Sequence, residues 1–283
     1  MAAPDAHTHS MFSWQANAEC WDQSVGQDGN AYWRLLQVPA LERMIPVPGK
    51  DARALDLAGG NGLVGRWLAG RGGLSLLVST DGSEEMVKHA QKRFNGGEGL
   101  QAVFRKVDVT SDQELGDLVT EYGPKEDDPD SGFDIITINM ALMDISDLNP
   151  MAKVLPKLLK KDGIFVATLL HPVFFTSGAD RHVQIVEQNE HMGPHVVRSK
   201  VITKYLDVPP WRGVFEYGQP EQQYYFHRPL HELFAAFFKV GLAMDALEEP
   251  AFTKDQGVPD RVESHRNFDQ LPAILAFRMR RFA

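Results

Sequence analysis

The stretch 54–65, Ala-Leu-Asp-Leu-Ala-Gly-Gly-Asn-Gly-Leu-Val-Gly, constrains this chain more than any other. Its apolar first half reads as a buried strand and its glycines as a tight loop. Leu63, Val64, Trp67 and Leu68 follow as the apolar stripe of a helix. Glycines suit a loop whose backbone leaves the ordinary φ/ψ regions and lets a ligand approach main-chain atoms, next to free N–H groups at a helix start. Strand, glycine loop and helix in that order predict a nucleotide-type site at the carboxyl edge of a parallel sheet.

The same alternation continues down the chain. Short apolar runs at 53–57, 75–80, 102–107, 133–139 and 163–170 read as parallel strands, and 244–247 with 274–280 as a closing pair. Between them, Ser83 caps a helix whose first turn carries Glu84 and Glu85. Asn149 and Pro150 open a second helix, expected to run to Gly163 with a kink at Pro156, and Pro229 opens a third that stops at Gly241. This is an α/β chain with helices on both faces of a mostly parallel sheet.

Composition narrows the partners. With 29 Lys and Arg against 38 Asp and Glu, the net charge of -9 offers no field to attract phosphate backbones, so nucleic acid is not an expected partner. The longest apolar run, 164–170, is far short of the roughly 18 residues that a membrane span requires. Residues 1–11 lack an apolar signal region, and Cys20 is the only cysteine, which excludes an intrachain disulfide; a cytoplasmic location is expected.

Three segments stand outside the alternation. Residues 1–38, rich in aromatics, form an N-terminal cover, and 121–131 form a polar loop. An insertion at 172–227, with a weak strand signal over 196–205, interrupts the main domain of 39–283 on the side expected to face substrate. Within it, His191 and His195 have no fixed acidic partner, and no metal requirement is expected.

Taken literally, Gly60, Gly62 and Gly65 satisfy the dinucleotide pattern, with Asp81 as its ribose acid; this supports one reading, an NAD(P)-dependent oxidoreductase. A second reading follows from Asp56, which precedes the glycines, where a negative charge gains nothing from a pyrophosphate but favours a ligand bearing an ammonium and a sulfonium. Asp81 then ends the second strand, placed to accept both ribose hydroxyls, and Asp108 ends the third, placed to accept from an adenine amino group.

At LDLAGGNG (55–62), STDGSEEM (79–86), VDV (107–109), FDIITINMALMDI (133–145), LKKDGIFVATLLHPVFF (159–175) and FHRPLHELF (226–234) the chain resembles the class I S-adenosylmethionine-dependent methyltransferases, in particular their small-molecule, ubiquinone-biosynthesis-like group. The resemblance implies a Rossmann-like seven-stranded sheet of order 3-2-1-4-5-7-6 with the last strand antiparallel. It implies S-adenosylmethionine as cofactor and S-adenosylhomocysteine as product. Carried over by position, Asp56, Ala58, Gly60 and Gly62 would surround the methionine end, with Ala58 standing where the family has its first glycine. Asp81 would hold the ribose, Gly82 and Met86 would flank the nucleoside, and Asp108 with the Val109 backbone would read the adenine. Asn139 and Met140 would lie near the sulfonium, and Tyr32 and Arg34, with Trp14, near the cofactor carboxylate.

Methyl transfer to a small aromatic or apolar molecule is therefore expected, with oxygen the favoured acceptor atom. A hydroxyl acceptor benefits from a base, for which His171, His227 and Asp144 are the candidates. A catalytically inactive cofactor-binding regulator is the remaining reading; the oligomeric state is not legible.

Overall fold

The computed structural model describes residues 5–97, 99–128, 130–186 and 195–282; His191 lies outside them. In chain order the helices are α1 Ala6–Val25, α2 Val38–Met44, α3 Leu63–Gly70, α4 Glu84–Arg93, α5 Asp112–Tyr122, α6 Asn149–Leu158 and α7 Leu230–Phe238. The strands are β1 Ala52–Leu57, β2 Leu74–Asp81, β3 Gln101–Lys106, β4 Phe133–Asn139 and β5 Leu159–Leu170. They continue with β6 Asp180–Val186, β7 His195–Val201, β8 Trp211–Gly213, β9 Gln223–Tyr225, β10 Leu242–Glu248 and β11 Ile274–Arg281.

Seven strands form one sheet in the order β10-β11-β5-β4-β1-β2-β3, with β1 to β5 parallel and β11 antiparallel to both of its neighbours. Counted over the sheet's own strands, this is the 3-2-1-4-5-7-6 order. Alternate residues of each strand point to opposite faces, and two apolar clusters result. Leu55, Leu57, Ile136 and Ile138 pack with α5, α6 and α7, whereas Ala54, Leu77, Ile135 and Val166 pack with α2 and α3. The insertion adds two antiparallel hairpins, β6–β7 and β8–β9, outside this sheet.

Several local expectations hold. Ser83 accepts from the Met86 N–H at 3.3 Å to cap α4, and Gly241, at φ +79°, follows the turn that ends α7. Others shift. Helix α6 ends at Leu158 rather than near Gly163, because β5 begins at the wholly buried Leu159, and Lys160 pairs with Asp134 at 2.9 Å. Gly163 is there for close approach, since a Cβ would meet the Phe133 carbonyl at 2.6 Å. Asn149 is the first residue of α6 rather than its cap, its N–H donating to Asp147 Oδ1 at 2.9 Å. Strand β7 covers only the first part of 196–205. The boundary expected between 38 and 39 falls inside a continuous helical stretch, 31–44, whose middle, Trp33–Gln37, is π-helical.

Candidate active site

Along the carboxyl edge of β1, β2 and β4 the chain encloses one cavity of about 900 Å³, with the glycine loop at one end and an aromatic chamber at the other. That is ample for a nucleoside-sized ligand together with a small acceptor.

At the loop end the backbone leaves the allowed regions for ordinary side chains. Ala58 takes φ +48°, Gly60 +57° and Gly62 +78°, while across the edge Met140 at the end of β4 takes +55°. Positive φ at Ala58 and Met140 is strain, of the kind held at binding sites. Gly60 presents its N–H to Asp81 Oδ2 at 2.9 Å, and the Ser83 N–H binds Asp81 Oδ1 at 2.8 Å. Asp81 is thereby fixed at the cavity wall with oxygen lone pairs to spare, and its burial pushes the carboxyl up to about 6 against those two hydrogen bonds.

Asp108 also faces the cavity, but its carboxylate is already engaged. Oδ1 accepts from the Thr110 N–H and hydroxyl, each at 2.8 Å, and Oδ2 lies 2.9 Å from His7 Nε2 on α1. Gly82, Met86, Val109, Asn139, Met140, Ala58, Gly60 and Tyr32 line the same space. Asn139 donates to Gln37 Oε1 at 2.9 Å and accepts from the Thr168 hydroxyl, so its amide is oriented from both sides.

Five expected site residues lie elsewhere. Asp56 is wholly buried beneath the loop rather than on the cavity wall; Thr137 donates to its Oδ1 at 2.8 Å, and Gly59 and Gly65 pack over Oδ2. Burial raises this carboxyl to about 7, so Asp56 braces the loop and does not face an ammonium group. Gly62 serves packing, with a Cβ there reaching Ala90 Cβ at 3.0 Å. Arg34 is exposed and bonded to the Gly29 carbonyl.

His171 is buried away from the cavity, its Nε2 2.9 Å from Glu249 and its Nδ1 accepting from the Val173 N–H at 3.2 Å; burial holds it below the usual histidine range. His227 is likewise held between the Thr176 hydroxyl at 2.9 Å and the Tyr205 carbonyl at 2.7 Å. Both histidines order loops at the sheet edge and neither lines the cavity, His171 being held by Glu249 and His227 by Thr176 and Tyr205 of the insertion.

Asp144 does face the chamber. It is half-buried, its Oδ1 has no hydrogen-bond partner among the described residues, and burial raises its carboxyl well above the usual range. Around it stand Met143, Phe175, Trp211 and Tyr225, the last stacked on Trp211 with centroids 4.5 Å apart. Burial, and then the charge of Asp144, lift the Tyr225 phenol above its ordinary range.

The roof was only partly legible in the sequence. Helix α1 contributes His7, Ser10, Met11, Trp14 and Trp21, with Met11 lying 2.6 Å from where a Gly82 Cβ would be. Trp21 packs edge-on to Phe215 of the β8–β9 connection at 4.9 Å, and Asn17 exchanges two hydrogen bonds with the Glu221 backbone, at 2.8 and 2.9 Å. The excess of aromatics at 1–38 was the one available signal; their partners lie about 200 residues away.

A family described as "Methyltransferase domain" matches residues 55–165. No curated protein sequence matches the chain. Among solved structures, an S-adenosylmethionine-dependent methyltransferase from Mesorhizobium loti superposes with a TM-score of 0.63 at 24% identity, over 90% of this chain and all of that one. A putative S-adenosylmethionine-dependent methyltransferase from Listeria monocytogenes gives 0.58 at 17% identity, over 86% and 96% of the two chains. The CcbJ methyltransferase from Streptomyces caelestis gives 0.54 at 16%, over 96% and 98%. At these identities the likeness is one of fold. Residues 55–165 thus match a methyltransferase-domain family, and the described chain has the class I S-adenosylmethionine-dependent methyltransferase fold.

Proposed function

We propose that this chain transfers a methyl group from S-adenosylmethionine to a small aromatic or otherwise apolar molecule, at a hydroxyl oxygen. The observation that carries the reading is a single cavity that joins the Asp81 end of the glycine loop to a dry chamber around Asp144. The residues suit the cofactor. Asp81 has free lone pairs for a ribose diol, Met11 packs beside Gly82, and Met86 with the strained Ala58 and Met140 lines the same space. When bound, S-adenosylmethionine supplies a methyl group activated by its sulfonium.

The chain's own contribution is alignment, water exclusion and a proton acceptor. Trp211, Tyr225 and Phe175 provide flat apolar walls for a ring. Asp144, half-buried at the cavity wall with its Oδ1 unpartnered, takes the proton of the acceptor hydroxyl, and its raised affinity for a proton suits it to that role. Cytoplasmic residence belongs to the same reading. Among the described residues no helix is long and apolar enough to cross a membrane, and no cluster of His, Cys, Asp and Glu suits a metal ion.

The test is calorimetric titration with S-adenosylhomocysteine and with NADH, followed by methyl transfer from labelled S-adenosylmethionine to a panel of phenols. Micromolar binding of S-adenosylhomocysteine, none of NADH, and label in a phenol ether support the reading. The reverse binding preference sinks it.

A further inference from the structure

Beyond Asp144 the chamber ends on a group of nitrogen bases for which the methyl-transfer reading gives no role. Arg181 of β6 lines the cavity, its guanidinium donating only to the Glu263 backbone carbonyl at 2.7 Å. Lys200 of β7 donates to the Phe174 carbonyl at 2.8 Å and sits over the Phe175 ring, 4.2 Å from its centroid. His265 packs tilted against the same ring, centroids 4.4 Å apart and planes 34° apart, and its buried Nδ1 has no partner among the described residues. Neither cation has a carboxylate within 4.0 Å among the described residues; the nearby Glu263 carboxylate is paired with Arg261 at 3.3 Å.

Like charges gathered on one wall repel, the half-buried Lys200 feels this more than the exposed Arg181, and a group of opposite charge relieves it. The strain is visible in the groups themselves. Burial and Arg181 bring Lys200 down to about 8, and burial with Lys200 and Arg181 brings His265 down to about 3, so the histidine stays neutral. Tyr32 lies within electrostatic reach of Arg181 and of Tyr225, and Tyr225 in turn of Asp144. Arg181, His265 and Asp144 thus line one aromatic-walled space.

We infer that the acceptor is an aromatic carboxylic acid, its carboxylate held by Arg181 with Lys200 behind Phe175, and its hydroxyl presented to Asp144. A planar guanidinium suits a carboxylate because its N–H fork matches both oxygens. The ring of such an acid lies against the Phe175 and Tyr225 walls. This inference rests on the methyltransferase reading.

The experiment titrates 3-(4-hydroxyphenyl)propanoate and its primary amide into the protein saturated with S-adenosylhomocysteine. The acid is expected to bind at least tenfold tighter than the amide. Arg181→Gln and Lys200→Gln should each weaken the acid about tenfold and leave the amide unchanged, and the double variant should abolish the preference. Arg181 is exposed, so its variant folds, and the S-adenosylhomocysteine heat checks this directly. Normal S-adenosylhomocysteine binding with equal affinity for acid and amide overturns the inference while leaving the methyltransferase reading standing. Absence of S-adenosylhomocysteine binding by the wild type sinks that reading, and with it this one.

Discussion

The carboxyl of Asp56 lies directly beneath Gly59, where an added Cβ would come within 2.5 Å of Oδ2. The acid at the end of β1 is therefore a strut under the glycine loop. Burial raises it from the ordinary 3.8 to about 7, so between these values the folded chain holds a proton that the unfolded chain has lost. Its favourable contribution to stability is full below about 4 and disappears as pH rises through about 7. In Asp56→Asn, which keeps the shape without the charge, the melting temperature should fall less than in the wild type between pH 4 and pH 8. Thermal unfolding across that range checks it; parallel curves would refute the assignment.

Asp81 carries the opposite role. In the proposed role the carboxylate form would accept from two ribose hydroxyls, whereas the protonated form would give up part of that capacity. With burial holding the group up to about 6, S-adenosylhomocysteine should bind more weakly at pH 5 than at pH 8. Asp81→Ala should cost about 100-fold in affinity at pH 8, the loss of two hydrogen bonds to a charged group at roughly 1.5 kcal/mol each. Calorimetric titration reads both effects, and an unchanged dissociation constant in the variant would remove Asp81 from the site.

Asp144 and His171 make a contrasting pair. Asp144→Asn should lower kcat about 100-fold, the scale of general-base catalysis, with S-adenosylhomocysteine affinity unchanged. The rise of wild-type kcat with pH should disappear in the variant. His171→Ala should instead destabilise the fold by about 1–3 kcal/mol, because Glu249 and the Val173 N–H lose a buried partner, with kcat within about twofold. Steady-state kinetics and denaturant unfolding on both proteins separate the roles; a kinetic defect in His171→Ala without loss of stability would reverse them.

Asn17 joins the cofactor roof to the acceptor wall. Its two reciprocal bonds to Glu221 link α1 to the β8–β9 connection, and its side chain is wholly buried. Asn17→Ala should weaken S-adenosylhomocysteine binding and raise the acceptor KM together, each about tenfold, since one interface supports both walls. An effect on the cofactor alone would show that the two walls are independent.

The methyltransferase frame was legible because it is written locally. Short apolar runs, the glycines at 59–62 and the cap at Ser83 act within a few residues of themselves, and these set the strands, the loop and the carboxyl edge. Gly163 misled because a glycine that stops a helix and a glycine that admits a carbonyl are the same letter; only the approach of Phe133 distinguishes them.

By itself the sequence determined the class of fold and the wall positions of Asp81, Gly82, Met86, Asp108 and Asn139 along one cavity, since a strand's end and its register fix where such residues emerge. Only the tertiary structure decided that Asp56 points under the loop, that His171 and His227 are turned away by their partners, and that α1 closes over Asp108 through His7. Those outcomes depend on side-chain direction and on contacts across 22 to 101 residues of chain. Burial and hydrogen-bond satisfaction settle such contacts once the whole chain has packed.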